Sequence, residues 1–319
     1  MDLSIIVPVY NESGNIGLLY DEIQTVCDGL ERITAFEMIF VNDGSRDGSA
    51  QELDAIAARD PRFKVLHFRR NYGQSAAITA GIKHSQGEII ILMDADLQND
   101  PRDIPAVLAK LDEGLDVVSG WRRDRKDRGL TRVLPSKIAN ALISAVTRVE
   151  LHDYGCTLKA YRREILENVD LFGEMHRFIP VYASWEGAKV GEMVVNHRAR
   201  VRGVSKYGLS RVPRVILDLF LVYFMDRAID RPMQFFGKIG LYSFVAAFLV
   251  GLWAMWLKLF EGHSFIQTPL PLLVVLLTIM GVMFLLLGLI AEIQIRTYFQ
   301  AARKTPYAMK RMVNMGDEA

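Results

Sequence analysis

Only two cysteines, Cys27 and Cys156, occur in 319 residues. That excludes a disulfide scaffold and fits a reducing compartment. Neither sign of charge dominates: Lys and Arg total 38, Asp and Glu 37, a net of +1. A dedicated nucleic-acid binder would be clearly basic, so nucleic acid is not expected among the partners. No G-x-G-x-x-G follows the first strand-like run, and no G-x-x-x-x-G-K-[ST] is present. A Rossmann dinucleotide site and a P-loop are thereby disfavoured, which leaves phosphate binding to a metal and basic side chains. No basic region precedes the first apolar run, which starts after Asp2 and breaks at Pro8. A signal peptide is therefore not expected, and the soluble part should stay on the cytosolic side. Internal repeats and low-complexity stretches are lacking. Half of the residues are hydrophobic, too many for a disordered chain.

The long apolar runs are confined to the C-terminal third. Ile239 to Leu257 is 19 residues without a charge, and Pro269 to Ala291 is 23. Roughly 20 apolar residues span a bilayer core, whereas buried soluble helices of this purity are uncommon. Tyr242, Trp253, Trp256 and Tyr298 lie towards the segment ends, as interface anchors do. The short loop between the runs holds Lys258 and Glu261. The outer flanks hold Arg227, Arg231 and Lys238 on one side and Arg296, Arg303, Lys304, Lys310 and Arg311 on the other. The positive-inside rule puts both flanks in the cytosol. Before the first run, Leu209 to Asp230 mixes apolar residues with Arg211, Arg214, Asp218, Asp226 and Arg227. It reads equally as an amphipathic helix in the membrane interface or as a helix packed on the soluble domain.

The first 120 or so residues alternate strand and helix signals. Strands are expected at Leu3–Val9, Phe36–Val41, Phe63–Phe68, Glu88–Met93 and Asp116–Ser119. Helices are expected near 15–30, 74–84 and 101–113, with another opened by a Ser49/Glu52 capping box. Such alternation means a mostly parallel α/β sheet with helices on both faces, and ligands bind beyond its strand ends.

The fourth strand runs into Asp94-Ala95-Asp96-Leu97-Gln98. Two carboxylates at i and i+2, with an amide oxygen two further on, are hard ligands that suit Mg²⁺ or Mn²⁺. Such a cation holds a diphosphate and neutralises its charge on departure. The second strand ends in Asn42-Asp43-Gly44. Asp43 there is either a turn carboxylate or an acceptor for a nucleobase or ribose hydroxyl.

Four motifs in order, I-I-V-P-V-Y-N-E at 5–12, V-N-D-G-S at 41–45, N-Y-G-Q at 71–74 with A-G at 80–81, and M-D-A-D-L-Q at 93–98, resemble the family-2 glycosyltransferases of GT-A fold. Within these the chain resembles the polyprenyl-phosphate glycosyltransferases, the group that includes dolichol-phosphate mannose synthase. The likeness runs from residue 3 to about 210, and the apolar runs are similar to those of the membrane-anchored members. It implies a GT-A domain over 1–208, an amphipathic segment over 209–232, two membrane helices over 233–295 and a cytosolic tail over 296–319. It implies that Pro8, Tyr10, Glu12 and Asp43 hold the nucleoside of a nucleotide sugar. Asp94, Asp96 and Gln98 would hold the metal, and the Ala95 backbone would touch the nucleotide.

Two basic stretches follow. Residues 119–132 include Arg122, and Asn196 to Arg214 holds six basic residues and no acid. Solvated charge is the default for such stretches. The family places phosphate contacts in both. Arg122 matches its basic residue after the fifth strand, and Arg198, Arg202, Ser205 and Lys206 match its R-x-x-G-x-S-K-Y segment. Arg122, Arg202 and Lys206 are the favoured contacts. In the acceptor-side loop, His152 to Lys159, some relatives carry a carboxylate where this chain has Cys156, which reads as a packing residue. Asp153 is then the nearest candidate base. A lipid phosphate, with a second pKa of ~6, is already a nucleophile and needs positioning more than a base.

The resemblance implies a membrane-bound inverting glycosyltransferase that moves a sugar from UDP- or GDP-sugar to a polyprenyl phosphate such as undecaprenyl phosphate. It would sit as a multi-pass protein in the inner membrane with its catalytic domain in the cytoplasm, and homo-oligomerisation is left open. The competing readings are a processive polysaccharide synthase, for which the usual Q-x-x-R-W motif is missing, and a catalytically silent scaffold.

Overall fold

The computed structural model describes residues 1–123, 144, 147, 149–166, 175–185, 187–198, 232–301 and 309–315. Arg202, Ser205, Lys206 and the 209–230 segment lie outside them. The chain divides into two compact units, Met1–Leu219 with Thr305–Ala319, and Phe220–Lys304.

The first unit is built on one eight-stranded sheet. All five expected strands are present: β1 (Leu3–Val9), β2 (Phe36–Asn42), β3 (Phe63–Phe68), β4 (Ile89–Leu92) and β5 (Val117–Trp121). Helices α1 (Ile16–Asp28), α2 (Ser49–Ala57), α3 (Gln74–His84) and α4 (Ile104–Asp112) connect them. Three further strands are β6 (Lys159–Arg162), β7 (Val190–Val194) and β8 (Met309–Val313), and a short helix α5 (Ile179–Trp185) precedes β7. The strand order is β7-β5-β6-β4-β1-β2-β3-β8. The β1, β2, β3 and β4 pairings are parallel, as is β5 with β7, while β6 runs antiparallel between β4 and β5.

The central strands are short runs such as Ile5-Ile6-Val7 and Met38-Ile39-Phe40, fully buried because helices cover both faces. Pro8 is tolerated in β1 because β4 pairs with β1 only as far as Ile6, so Pro8 lies beyond the two-sided ladder. Helix α3 lies tightly on β1 at Gly81, where a Cβ would stand 2.3 Å from the Ile6 side chain. That close approach is the physical content of the A-G signal at 80–81.

Two expectations change here. Ser49 is not a helix cap: its Oγ accepts the Glu12 N–H at 3.0 Å. Glu52 instead accepts the Gly14 and Gly17 N–H groups at 2.8 and 2.9 Å, which satisfies the start of α1. The spacing suited a capping box, but donors from another element claim both side chains. The segment expected as a tail from 296 begins inside a helix that ends at Ala301, and Met309–Val313 pairs antiparallel with β3 at the sheet edge. Its Lys310 and Arg311 hide the strand signal and suit an exposed edge.

The second unit contains α6 (Pro232–Phe260) and α7 (Leu270–Ala301), which pack on each other, with Phe236 and Phe284 stacked at 6.4 Å. Met233–Phe260 and Leu270–Gln294 are each long and apolar enough to cross a membrane. Their outward apolar side chains are not buried: Tyr242, Phe248, Leu259 and Leu272 are 66–74% exposed. The core helices of a soluble protein would bury such residues.

Candidate active site

The first three motifs meet at the carboxyl ends of β1 and β2. The Asn42 side chain closes the turn after β2 by accepting the Ser45 N–H at 2.9 Å. Gly44 takes φ +67°, and a Cβ there would strike the Arg70 backbone at 2.4 Å. The turn is bound to the loop after β1, since the Asn11 N–H donates to Ser45 Oγ at 3.0 Å. Glu12 accepts from Asn15 Nδ2 at 2.9 Å, and the Asp43 N–H donates to the Val9 carbonyl at 2.8 Å.

Asp43 is buried and clamps the segment leading into α3. It accepts from Asn71 Nδ2 at 2.8 Å, from Tyr72 N–H at 2.6 Å and from Gly73 N–H at 3.0 Å. Burial raises its pKa, with the two backbone donors opposing. This explains why V-N-D-G-S and N-Y-G-Q go together: one supplies the carboxylate and the other its donors. Tyr10, Asn42, Gly44 and Asn71 line a cavity of about 290 Å³ at this corner.

The next motif continues the chain of contacts. Gln74 donates from Nε2 to Asp94 Oδ1 at 2.8 Å. Beyond β4 the burial alternates, with Ala95, Leu97 and Asn99 buried and Asp94, Asp96 and Gln98 partly exposed. The three expected ligands thus share accessibility to solvent. Asp96 Oδ1 accepts the Gln98 N–H at 3.1 Å, and Leu97 sits at φ +61°. Among the described residues, no group of three or more His, Cys, Asp or Glu side chains could hold a metal. Two carboxylates and an amide still fit Mg²⁺ or Mn²⁺, because Mg²⁺ is commonly held by one or two carboxylates plus substrate phosphates. Ala95 is buried with its side chain inward, which leaves its backbone as the group it could offer.

At the end of β5, Arg122 and Asp153 form a buried two-pronged pair, Nε to Oδ2 at 2.7 Å and Nη2 to Oδ1 at 3.0 Å. Burial works to lower the Arg122 pKa, but the hydrogen bonds and charge of Asp153 outweigh it and raise the value. Asp153 also accepts the Gly155 N–H at 3.1 Å. Both of its oxygens are therefore engaged. Cys156 is fully buried, and burial pushes its thiol up to about 11, which makes it inert at neutral pH and fits the packing role.

Sequence reasoning missed three neighbours. Lys159 on β6 is buried, donates to the Tyr154 carbonyl at 3.0 Å and has its pKa lowered to about 8 by burial. Its register partners are Leu92, just before the acidic motif, and Ser119, just before Arg122. Glu192 on β7 accepts the His152 and Asp153 N–H groups at 2.9 and 3.1 Å and pairs with His152 Nδ1 at 2.7 Å. Trp121 stacks on His152 with centroids 4.2 Å apart. A lone Lys before Ala-Tyr was the only available signal; Glu192 gave none.

Arg198 proves to be a staple. It pairs with Glu22 at 2.7 Å and Asp100 at 2.5 Å, and its N–H donates to the Gln98 carbonyl at 2.9 Å. Burial works to raise the Asp100 pKa, but the bonds from Arg102, Asn196 and Arg198 outweigh it and hold the group well below the usual carboxylate range. Arg198 is thus fixed beside the acidic motif.

Residues 4–170 match the family model for glycosyl transferase family 2. Dodecaprenyl-phosphate galacturonate synthase from Rhizobium johnstonii is 39% identical over 323 aligned positions, covering 100% of this chain and 95% of that protein. Undecaprenyl-phosphate 4-deoxy-4-formamido-L-arabinose transferase from Shewanella sediminis is 37% identical across 96% of this chain and 90% of its own length. Among solved structures, glucosyl-3-phosphoglycerate synthase from Mycobacterium tuberculosis, in complex with Mn²⁺, UDP and glucosyl-3-phosphoglycerate, matches with a TM-score of 0.55 at 20% identity, over 70% of this chain and 79% of that one. That likeness is one of fold, and it is the GT-A fold. With the family match over residues 4–170 and a relative aligned along its whole length, the chain belongs to glycosyl transferase family 2 and is a glycosyltransferase.

Proposed function

We propose that this enzyme moves one sugar from a nucleotide-sugar donor to a polyprenyl phosphate, with inversion, at the cytoplasmic face of a bacterial inner membrane. The observation that carries the proposal is the near full-length likeness to two kinds of enzyme named for different sugars but for the same acceptor class. The two long apolar helices with exposed side chains support a site beside a bilayer, where such a lipid resides. Two crossings would leave Met309–Val313 on the same side of a bilayer as the strands it joins.

In this reading Tyr10 and the Asp43 turn receive the nucleoside. Asp94, Asp96 and Gln98 would hold a divalent cation. Bound there, the cation would offset the charge of the departing nucleoside diphosphate. An acceptor phosphate oxygen attacks the anomeric carbon. The bond to the donor's diphosphate oxygen breaks, and the nucleoside diphosphate leaves with the electron pair. The acceptor is a dianion near pH 7, so no proton needs to be removed. Asp153 is accordingly the anchor of Arg122 rather than a base, and Arg122 presents a fixed positive charge beside the reacting phosphates. Arg202 and Lys206 are proposed as further phosphate contacts.

The test is transfer by the full-length protein in detergent, with a panel of UDP- and GDP-sugars, Mn²⁺ and undecaprenyl phosphate. A single sugar on the lipid is the expected product. A polymer, or no lipid-linked product from any donor, would overturn the proposal.

A further inference from the structure

The cavity beside Tyr10 has an unexpected wall. Besides residues from the loops after β1, β2 and β3, it is lined by Lys310 and Arg311 of β8. The β3–β8 register explains how two consecutive residues reach it: His67 pairs with Arg311 and Phe68 with Met309, so Lys310 is skipped. Such a bulge at a sheet edge re-aims side chains.

Arg311 is also wired to the turn that carries Asp43. It is paired with Asp54 Oδ2. Asp54 Oδ1 lies 3.2 Å from His67 Nε2. His67 Nδ1 lies 3.0 Å from Asn42 Nδ2, and Asn42 Oδ1 holds the Ser45 N–H. The amide can only donate to Nδ1, which leaves the proton on Nε2 to donate to Asp54. Burial lowers the His67 pKa, consistent with the neutral ring that this arrangement needs. Asn42, His67 and Arg311 are successive register partners across β2, β3 and β8. Asn314, at φ +59°, locks the strand by donating to the Ala57 and Phe63 carbonyls at 2.7 and 2.8 Å.

We infer that β8, which the chain forms only after the two long apolar helices, is a wall of the donor's nucleoside pocket, and that Arg311 is a positioning residue acting on the Asp43 turn through Asp54, His67 and Asn42. The inference rests on the nucleoside role proposed for Tyr10 and Asp43. Charge agrees with it. Among the described residues, Arg46, Arg70 and Lys310 make no ion pair while lining the cavity, so the corner attracts an anionic nucleotide.

The experiment is calorimetric binding to the full-length protein in detergent with Mn²⁺. The probes are UDP and GDP, and inorganic pyrophosphate, which reaches only the metal end. Arg311→Ala should weaken binding of the preferred nucleotide about tenfold, as expected when a charged hydrogen-bond partner is lost. It should leave pyrophosphate within about twofold, and raise donor KM far more than it lowers kcat. Arg311→Lys should recover most of the affinity. Lys310→Ala removes no register pair of the sheet, since Lys310 is skipped between β3 and β8, yet should weaken nucleotide binding about threefold through lost attraction. Unchanged nucleotide affinity in both alanine variants, or an equal fall for pyrophosphate, would overturn the inference while leaving the proposed function standing. Wild-type protein that binds pyrophosphate but neither nucleotide would overturn both.

Discussion

The Gln74 side chain donates from Nε2 to Asp94 Oδ1 at 2.8 Å, joining the first turn of α3 to the acidic motif beyond β4. Because Asp43 holds the backbone just before Gln74, the proposed nucleoside end and the proposed metal end of the site share one mechanical link. A carboxylate meant to bind a cation keeps one oxygen oriented by an outer partner and offers the other.

Gln74 should therefore matter to metal use without touching substrate. Gln74→Ala is expected to weaken Mn²⁺ activation about ten- to hundredfold, the usual loss for an outer-sphere partner. Excess Mn²⁺ should restore much of the rate. A titration of transfer rate against Mn²⁺ concentration checks this, and an unchanged midpoint would refute it.

Arg122 and Asp153 form a buried pair, so removing one partner strands the other. Asp153→Asn should destabilise the protein by about 3–5 kcal/mol, seen as a lower melting temperature. The double variant with Arg122→Gln should be less impaired than the sum of the single variants, since the pair acts as a unit. If Asp153 were also a general base, Asp153→Asn would in addition abolish the pH dependence of kcat that such a base imposes.

Much of this geometry was legible in the sequence because parallel strands buried on both faces read as uninterrupted apolar runs. Ile5-Ile6-Val7 and Ile89-Ile90-Ile91 could hardly be anything else. Strands β6 to β8 failed that test. Lys159 and Arg162 interrupt β6, β7 is a half-exposed edge with Gly191 and Glu192, and Lys310 and Arg311 interrupt β8. The places of Asp43, Asp94 and Asp96 just beyond β2 and β4 were legible. Their partners were not, because Asn71, Tyr72 and Gly73 lie 28–30 positions from Asp43, and no local pattern encodes a long-range bond. Ser49 and Glu52 show the converse, a correct local spacing whose groups are claimed by α1 and the loop before it.

Lys159 predicts a pH dependence of stability. Burial lowers its pKa from the ordinary 10.5 to about 8. Between those values the unfolded chain binds the proton and the folded chain does not, so stability rises with pH. The gain approaches about 3 kcal/mol by pH 10 and is absent below pH 8. Lys159→Met should lack this increment. Denaturant unfolding of both proteins at pH 7 to 10, with chelator present to keep Asp94 free of metal, measures the difference. Parallel curves would show that Lys159 does not titrate in this range.

The two thiols make a simpler test of the core. Cys27 lies on the buried face of α1 and Cys156 is fully buried beside Arg122, with burial raising their pKa values to about 12 and about 11. A thiol reacts as its thiolate, so both should be silent at pH 8 even though Arg122 favours the ionised form of Cys156. An aromatic disulfide reagent should label neither cysteine in the native protein and both after denaturation. Transfer activity should survive prolonged alkylation. Rapid labelling of Cys156 would mean that the loop from His152 to Lys159 opens readily, and the rigid Arg122–Asp153 corner proposed to face the reacting phosphates would have to be abandoned.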